Sequence, residues 1–290
     1  MPDLALTTLD DLSVIGVRGN DAVSFLQGQV SQDLQTLAEH GNALAGLHNP
    51  QGRCIAVLRI FRVAPDQLLV VLPADLAEAI RVRLTRYVLR ARVALADASA
   101  TWRVYGVSGP AAAAASSTRL SMAMDHTGMR HLIVAPRGEP LPEGETTSRQ
   151  RWRLEDIAAG LPEIRTATSA MFVAQMLNLD LLGAIAFDKG CYTGQEVIAR
   201  AHYRGQVKRR AQRFATESEQ VLLPGVRLRL GDGRSAQVVM AAQAEGGGQQ
   251  FLAVTTAPGS GAALTDESGE SPSTVMLECE QLPLPYALPA

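Results

Sequence analysis

Lysine is nearly missing from this chain: Lys189 and Lys208 stand against 25 arginines. Where arginine is the default cation, a retained lysine points to a place that wants a compact ammonium. Cysteine is scarce too. Cys54, Cys191 and Cys279 are odd in number, scattered and free of any C-x-x-C pair, which excludes a disulfide framework and a self-contained zinc or cluster site. Long apolar runs are absent, and stretches such as Leu68–Leu72 fall far below the roughly 18 residues that cross a bilayer. Residues 1–12 hold three Asp and neither Lys nor Arg, unlike a secretory or mitochondrial presequence. No H-E-x-x-H, no Walker loop and no strand-following G-x-G-x-x-G occurs, and the five histidines (His40, His48, His126, His131, His202) form no recognisable motif. These absences predict a soluble cytoplasmic protein that is neither metalloenzyme, NTPase nor dehydrogenase.

What is present is ordinary in bulk and uneven in detail. The 290 residues are 47% hydrophobic and 19% charged, a globular balance, and the length suits two domains or three small ones. A net charge of −2 argues against a general nucleic-acid binder. Yet Lys189–Arg213 carries seven basic residues against Glu196, and Arg81–Arg103 carries six against Asp97. Two readings stay open for these clusters, a solvated face or an anionic partner.

The N-terminal part alternates elements. Leu12–Val17 reads as a strand, and Asn20-Asp21 as the cap of a helix through Phe25 and Leu26. Ala43–His48 and Cys54–Val63 flank Asn49-Pro50-Gln51-Gly52, the signal of a hairpin. Gln67–Leu72 continues the sheet, and Leu76, Ile80, Leu84 and Val88 give a helical period after Pro73. Val93–Leu95 and Arg103–Val107 return to strand, an order that indicates α+β. Ala111–Ala115 is a helix or linker, Pro136–Arg149 a loop, and Trp152–Ala159 a helix stopped by Gly160 and Pro162. After Val221, short alternating runs between Gly-rich turns predict a small all-β sandwich or barrel, and Leu282–Ala290 should be extended. The expected divisions are 1–108, 109–216 and 217–290.

The densest chemical signal is Asp188-Lys189-Gly190-Cys191-Tyr192-Thr193-Gly194-Gln195-Glu196. Thr193-x-x-Glu196 fits a capping box before Val197, Ile198 and Ala199, so a helix is expected to begin at Thr193. A helix N-terminus and the charge of Lys189 would both favour a thiolate at Cys191, and Gly190 and Gly194 would permit tight turns or close approach of a ligand. Cys54 and Cys279 lie in apolar runs and are expected to be shielded.

At Lys189-Gly190-Cys191-Tyr192-Thr193-Gly194-Gln195-Glu196 the chain resembles the YgfZ family, folate-binding proteins related to the aminomethyltransferase of the glycine cleavage system. Phe25-Leu26-Gln27-Gly28-Gln29-Val30 with Asp33, Trp152…Asp156-Ile157…Ala159-Gly160-Leu161-Pro162, and Met176-Leu177-Asn178-Leu179 agree in order. The resemblance covers most of residues 9–215. It implies an aminomethyltransferase-like α+β fold: two α+β lobes and a C-terminal Greek-key β-barrel around a central folate-binding opening. It also implies a folate cofactor (tetrahydrofolate or a derivative) and a role in assembly or repair of iron–sulfur enzymes, including one that methylthiolates tRNA. Iron–sulfur clients and folate are the implied partners, with no membrane and no direct nucleic-acid contact.

By the same resemblance Cys191 is the functional thiol with Lys189 beside it, and Tyr192, Gln195 and Glu196 are placed with the cofactor. Trp152 would offer the pterin an aromatic face, Glu155 or Asp156 a carboxylate, and Arg200 and Arg204 would meet the glutamate tail. Two departures stand out. Aminomethyltransferases carry paired aspartates in the strand after the turn, where this chain has Ala56 and Val57, and neither can act as a general base. Some family members also have a second tryptophan where this chain has Leu12. A folate-dependent one-carbon transferase and an RNA-associated binding module remain as rival readings.

Overall fold

The structure, a computed structural model, describes residues 3–257 and 275–289. Three sheets organise it. The first runs Asn42–His48, Cys54–Ala64, Gln67–Pro73, Leu12–Arg18, Ala94–Asp97, with every pair of neighbours antiparallel. The expected turn joins its first two strands: Gly52 takes φ +71°, and its N–H donates to the Asn49 carbonyl at 2.9 Å. The helix Ala74–Thr85 buries Leu76, Ile80 and Leu84, as the period requires. The helix Ala22–Gln27 forms as well, but Asp21 does not cap it with its side chain. That carboxylate instead accepts from the Arg92 backbone N–H and guanidinium, which hold its pKa below the usual range.

The second sheet runs Glu145–Thr146, Ala5–Thr8, Trp102–Ser108, Arg130–Pro136, Leu120–Ala123. Against it lie the short helix Ala112–Ser116 and the helix Arg149–Ala158, whose Ser148 hydroxyl accepts from the Arg151 N–H at 3.1 Å. The sequence pattern marks neither Leu120–Ala123 nor Arg130–Pro136 as a strand, and Glu145–Thr146 lies in the stretch expected to be a loop. Ala5–Thr8 is not marked either, being too short for its alternation to stand out. It is fixed by its ladder to Trp102–Ser108.

The third sheet runs Val275–Leu277, Arg227–Leu230, Ser235–Gln243, Gln249–Thr256, Arg209–Thr216, Glu280–Leu282. Its two edge strands are separated in sequence only by Glu278 and Cys279. A link that short spans less than roughly 12 Å, so the sheet must curl until its edges meet. Among the described residues no helix follows position 221.

The sheets cross the expected divisions. Ala5–Thr8 and Trp102–Ser108 belong to the second sheet, and Arg209–Thr216 to the third. The largely irregular stretch 164–198 packs on the first sheet, not the second. Phe172, Leu177, Leu179 and Ile198 share one core with Leu58 and Ile60, and with Ala211, Val239 and Leu252 of the curled sheet. A second core joins the first two sheets through Leu12, Phe61, Leu69, Val104, Leu132 and Trp152. Cores that span sheets bind the parts into one body by apolar burial. Among the described residues no helix is long and apolar enough to cross a membrane.

Candidate functional site

The octapeptide loop is organised by Lys189. Its ammonium donates to the carbonyls of Gln27 and Val30 at 2.7 Å each and of Gln32 at 2.9 Å. All three donors of the ammonium are therefore used, on a segment that lies about 160 residues earlier in the chain. Three carbonyls converging on one point suit a compact ammonium and not a planar guanidinium, which accounts for a lysine in so arginine-rich a protein. Burial lowers the Lys189 pKa to about 8, with Asp33 opposing the shift. Its charge also lies 5.1 Å from the centroid of the buried Tyr192 ring, whose own pKa burial pushes up to about 12.

The helix that follows is Gln195–Tyr203, later than expected. Gly194 is its N-cap with φ +85°, and no side chain caps it, so the Thr193–Glu196 capping box does not form. Tertiary contact decides this. A Cβ at Gly194 would lie 2.5 Å from the Asn49 carbonyl oxygen, and one at Gly52 would lie 2.9 Å from Val197. Two glycines thus let the helix start press against the hairpin turn, Gly194 against backbone and Gly52 against the Val197 side chain. Beside them His48 is fully buried, 6.3 Å from Tyr192 between ring centroids, with both ring nitrogens lacking a partner. Burial lowers its pKa to about 3 and keeps it neutral.

Cys191 is exposed on this loop. The two influences expected to favour its thiolate are not arranged as the sequence suggested. The ammonium is committed to carbonyls, and the helix begins four residues beyond the thiol, uncapped. Cys54 is fully buried, donates to the Ala56 carbonyl at 3.4 Å, and has its pKa pushed up to about 12 by burial. Cys279 is half-buried and lies outside the strands flanking it, so it is less shielded than expected.

The large cavity lies elsewhere. About 780 Å³ opens between Leu44 and Arg59 of the first sheet, Met122 of the second and Asp125 in the turn after it, the turn at 159–162, the segment 181–183 and Tyr286 of the tail. Tyr286 is held there by donating its hydroxyl to the Gly160 carbonyl at 2.8 Å. None of Lys189, Cys191, Tyr192, Gln195, Glu196, Trp152, Glu155, Arg200 or Arg204 lines it. The octapeptide reaches its edge only indirectly, through Gln32 and Asp33.

Trp152 is corrected from a ligand-facing to a core residue. It is 2% exposed and packs where Gly106 leaves room, since a Cβ there would lie 2.4 Å from the ring. The Arg130 guanidinium lies 4.2 Å from its centroid. Leu12 belongs to the same apolar cluster. Glu155 is spent on Arg130 at 3.0 Å and Arg151 at 3.4 Å, and Asp156 on Arg130 at 2.7 Å. Gln195 donates weakly to the Lys189 carbonyl at 3.4 Å, whereas Glu196, Arg200 and Arg204 face solvent. Four members of the two basic clusters are paired with carboxylates: Arg210 with Asp180 at 2.9 Å, Arg81 with Glu78, Arg92 with Asp21 and Arg103 with Asp10. Arg59, which lines the cavity, was missed. Its signal was a charge inside the apolar strand Cys54–Ala64, which also holds Arg62 nearer its end.

Comparison with known proteins agrees with the architecture. Residues 3–136 match the family model described as the GCVT N-terminal domain. The fold is similar to that of glycine cleavage system aminomethyltransferase T from Bartonella henselae, with a TM-score of 0.65 over 88% of this chain and 78% of that one, at 15% identity. Two α+β layers and a curled C-terminal sheet therefore define an aminomethyltransferase-like fold. Over 273 residues the chain is 33% identical to the tRNA-modifying protein YgfZ of Enterobacter sp. (strain 638), covering 84% of this chain and 83% of that protein. The chain belongs to the YgfZ family.

Proposed function

We propose that this protein is a folate-binding accessory factor that supports assembly or repair of iron–sulfur enzymes, including a tRNA-modifying one, with Cys191 as the working thiol. The observation that carries the reading is the cavity between the first two sheets, closed by Tyr286 of the tail, in a fold shared with an aminomethyltransferase. Its size falls in the ordinary range for small-molecule sites. Met122, Leu161 and Leu182 supply apolar wall. Asp33 binds the Gln27 amide and the Gln35 N–H through one oxygen, which leaves the other for the amino edge of a pterin. A bound folate would bring one-carbon or redox chemistry of its own. The protein's part is to hold and orient it.

The relative named for tRNA modification supports the link to that process, and a client enzyme accounts for it without RNA contact. Ala56 and Val57 support an accessory role over one-carbon transfer, because both are buried apolar residues where paired aspartates would be needed. Cys191 is the exposed thiol of the three, on a loop tied down by Lys189, as a group presented to a partner should be. Titration of the full chain with several folates, alongside activity of an iron–sulfur client with parent or Cys191→Ser protein, tests the reading. Folate binding together with client activity that fails with Cys191→Ser is expected. No folate binding, or full client support by Cys191→Ser, would overturn it.

A further inference from the structure

Among the described residues three arginines are buried outright: Arg59, Arg130 and Arg210. Arg130 is paired with Glu155 and Asp156, and Arg210 with Asp180. Arg59 differs. It is 3% exposed, its Nε has no hydrogen-bond partner, and its side chain makes neither a hydrogen bond nor an ion pair. It stands in the wall of the central cavity, on a strand locked between its neighbours by pairing with Leu44 and Val71. Asp33 and Asp125 share that cavity without coming within ion-pairing distance of it, and each is bound by groups of its own loop.

A buried charge without a partner is strongly disfavoured, and proteins keep one where something else supplies the counter-charge. A guanidinium offers five donors and no acceptor, and its fork matches the two oxygens of a carboxylate. We propose that Arg59 is the anion anchor of the central cavity and receives a carboxylate of the ligand. The inference rests on the folate reading for the ligand's identity, where the carboxylates are those of the glutamate. That role therefore falls to a buried residue of the first sheet, not to the exposed Arg200 and Arg204. The anchor itself requires only a carboxylate-bearing molecule small enough for the cavity.

Three probes separate these levels by calorimetric titration of the full chain: 5-formyltetrahydrofolate, p-aminobenzoylglutamate, and 6-methylpterin, which has no carboxylate. Arg59→Gln should weaken the first two about 30-fold and leave the third unchanged, as loss of a charge-assisted hydrogen bond implies. Arg59→Lys should recover part of the loss. In parallel, ligand-free Arg59→Met should unfold at or above the parent's temperature, while Arg130→Met, which takes the nearest cation from the buried Asp156 and leaves Glu155 only Arg151, should unfold well below it.

Unchanged p-aminobenzoylglutamate binding in Arg59→Gln would overturn the anchor, as would no binding of that probe by the parent. So would a loss of ligand-free stability in Arg59→Met as large as in Arg130→Met. Binding of p-aminobenzoylglutamate that depends on Arg59, without binding of either pterin probe, would uphold the anchor and sink the folate reading. Binding of 5-formyltetrahydrofolate indifferent to Arg59 would do the reverse.

Discussion

Lys189 and Arg59 are both buried cations, and they have opposite surroundings. Lys189 lies under the octapeptide with all three donors on carbonyls, beside a hairpin turn and a neutral, enclosed His48. Arg59 lies in the wall of a roomy cavity and has no partner. A saturated cation holds chain segments together, whereas an unsaturated one is ready to receive a ligand. The motif that carries the family likeness is thus chiefly a clamp on the 27–32 segment, with Cys191 exposed beside it, while the unpaired charge is on a residue no motif marks.

The largest effect expected to test this contrast is on stability. Lys189→Met leaves three buried carbonyls without a donor and should cost about 3 kcal/mol or more in denaturant unfolding. Equal tolerance of Lys189→Met and Arg59→Met would erase the distinction. The pH dependence comes next. The His48 pKa is lowered from 6.5 to about 3, so between those values the unfolded chain binds a proton that the folded one does not. Its contribution is present in full above about pH 6.5 and is lost as pH falls toward 3, by at most about 1.4 kcal/mol per pH unit. Unfolding measured across that window should be less steep for His48→Leu than for the parent, and an unchanged slope would mean that the imidazole is not enclosed. The smallest effect belongs to Thr193. Its hydroxyl caps nothing, so Thr193→Ala should change stability by less than about 0.5 kcal/mol, whereas a working N-cap would cost about 1 kcal/mol.

Local pattern was a sound guide where the determinants are local. The Asn49–Gly52 hairpin, the Leu76–Ile80–Leu84 helix face and the stop at Gly160 follow from turn chemistry and period, which depend only on neighbours in sequence. The site was less legible. Trp152 and Glu155 read as ligand groups because an aromatic and a carboxylate can serve one, but Gly106 and Arg130 had already taken them. The Thr193 cap read correctly as a pattern and failed because Gly194 meets the Asn49 carbonyl.

By itself the sequence determined the family, the run of strands and helices through the first sheet, and an all-β C-terminal part, and it singled out the Lys189–Glu196 octapeptide. Those are properties of composition, spacing and resemblance. Only the tertiary structure decided that Ala5–Thr8 crosses to the second sheet, that stretch 164–198 packs on the first, and that Glu278-Cys279 closes the curled sheet. It alone decided which charges are spent and which are free. Pairing depends on which segments, often more than a hundred residues apart, the packed cores bring within about 3 Å of each other, and no spacing along the chain encodes that distance.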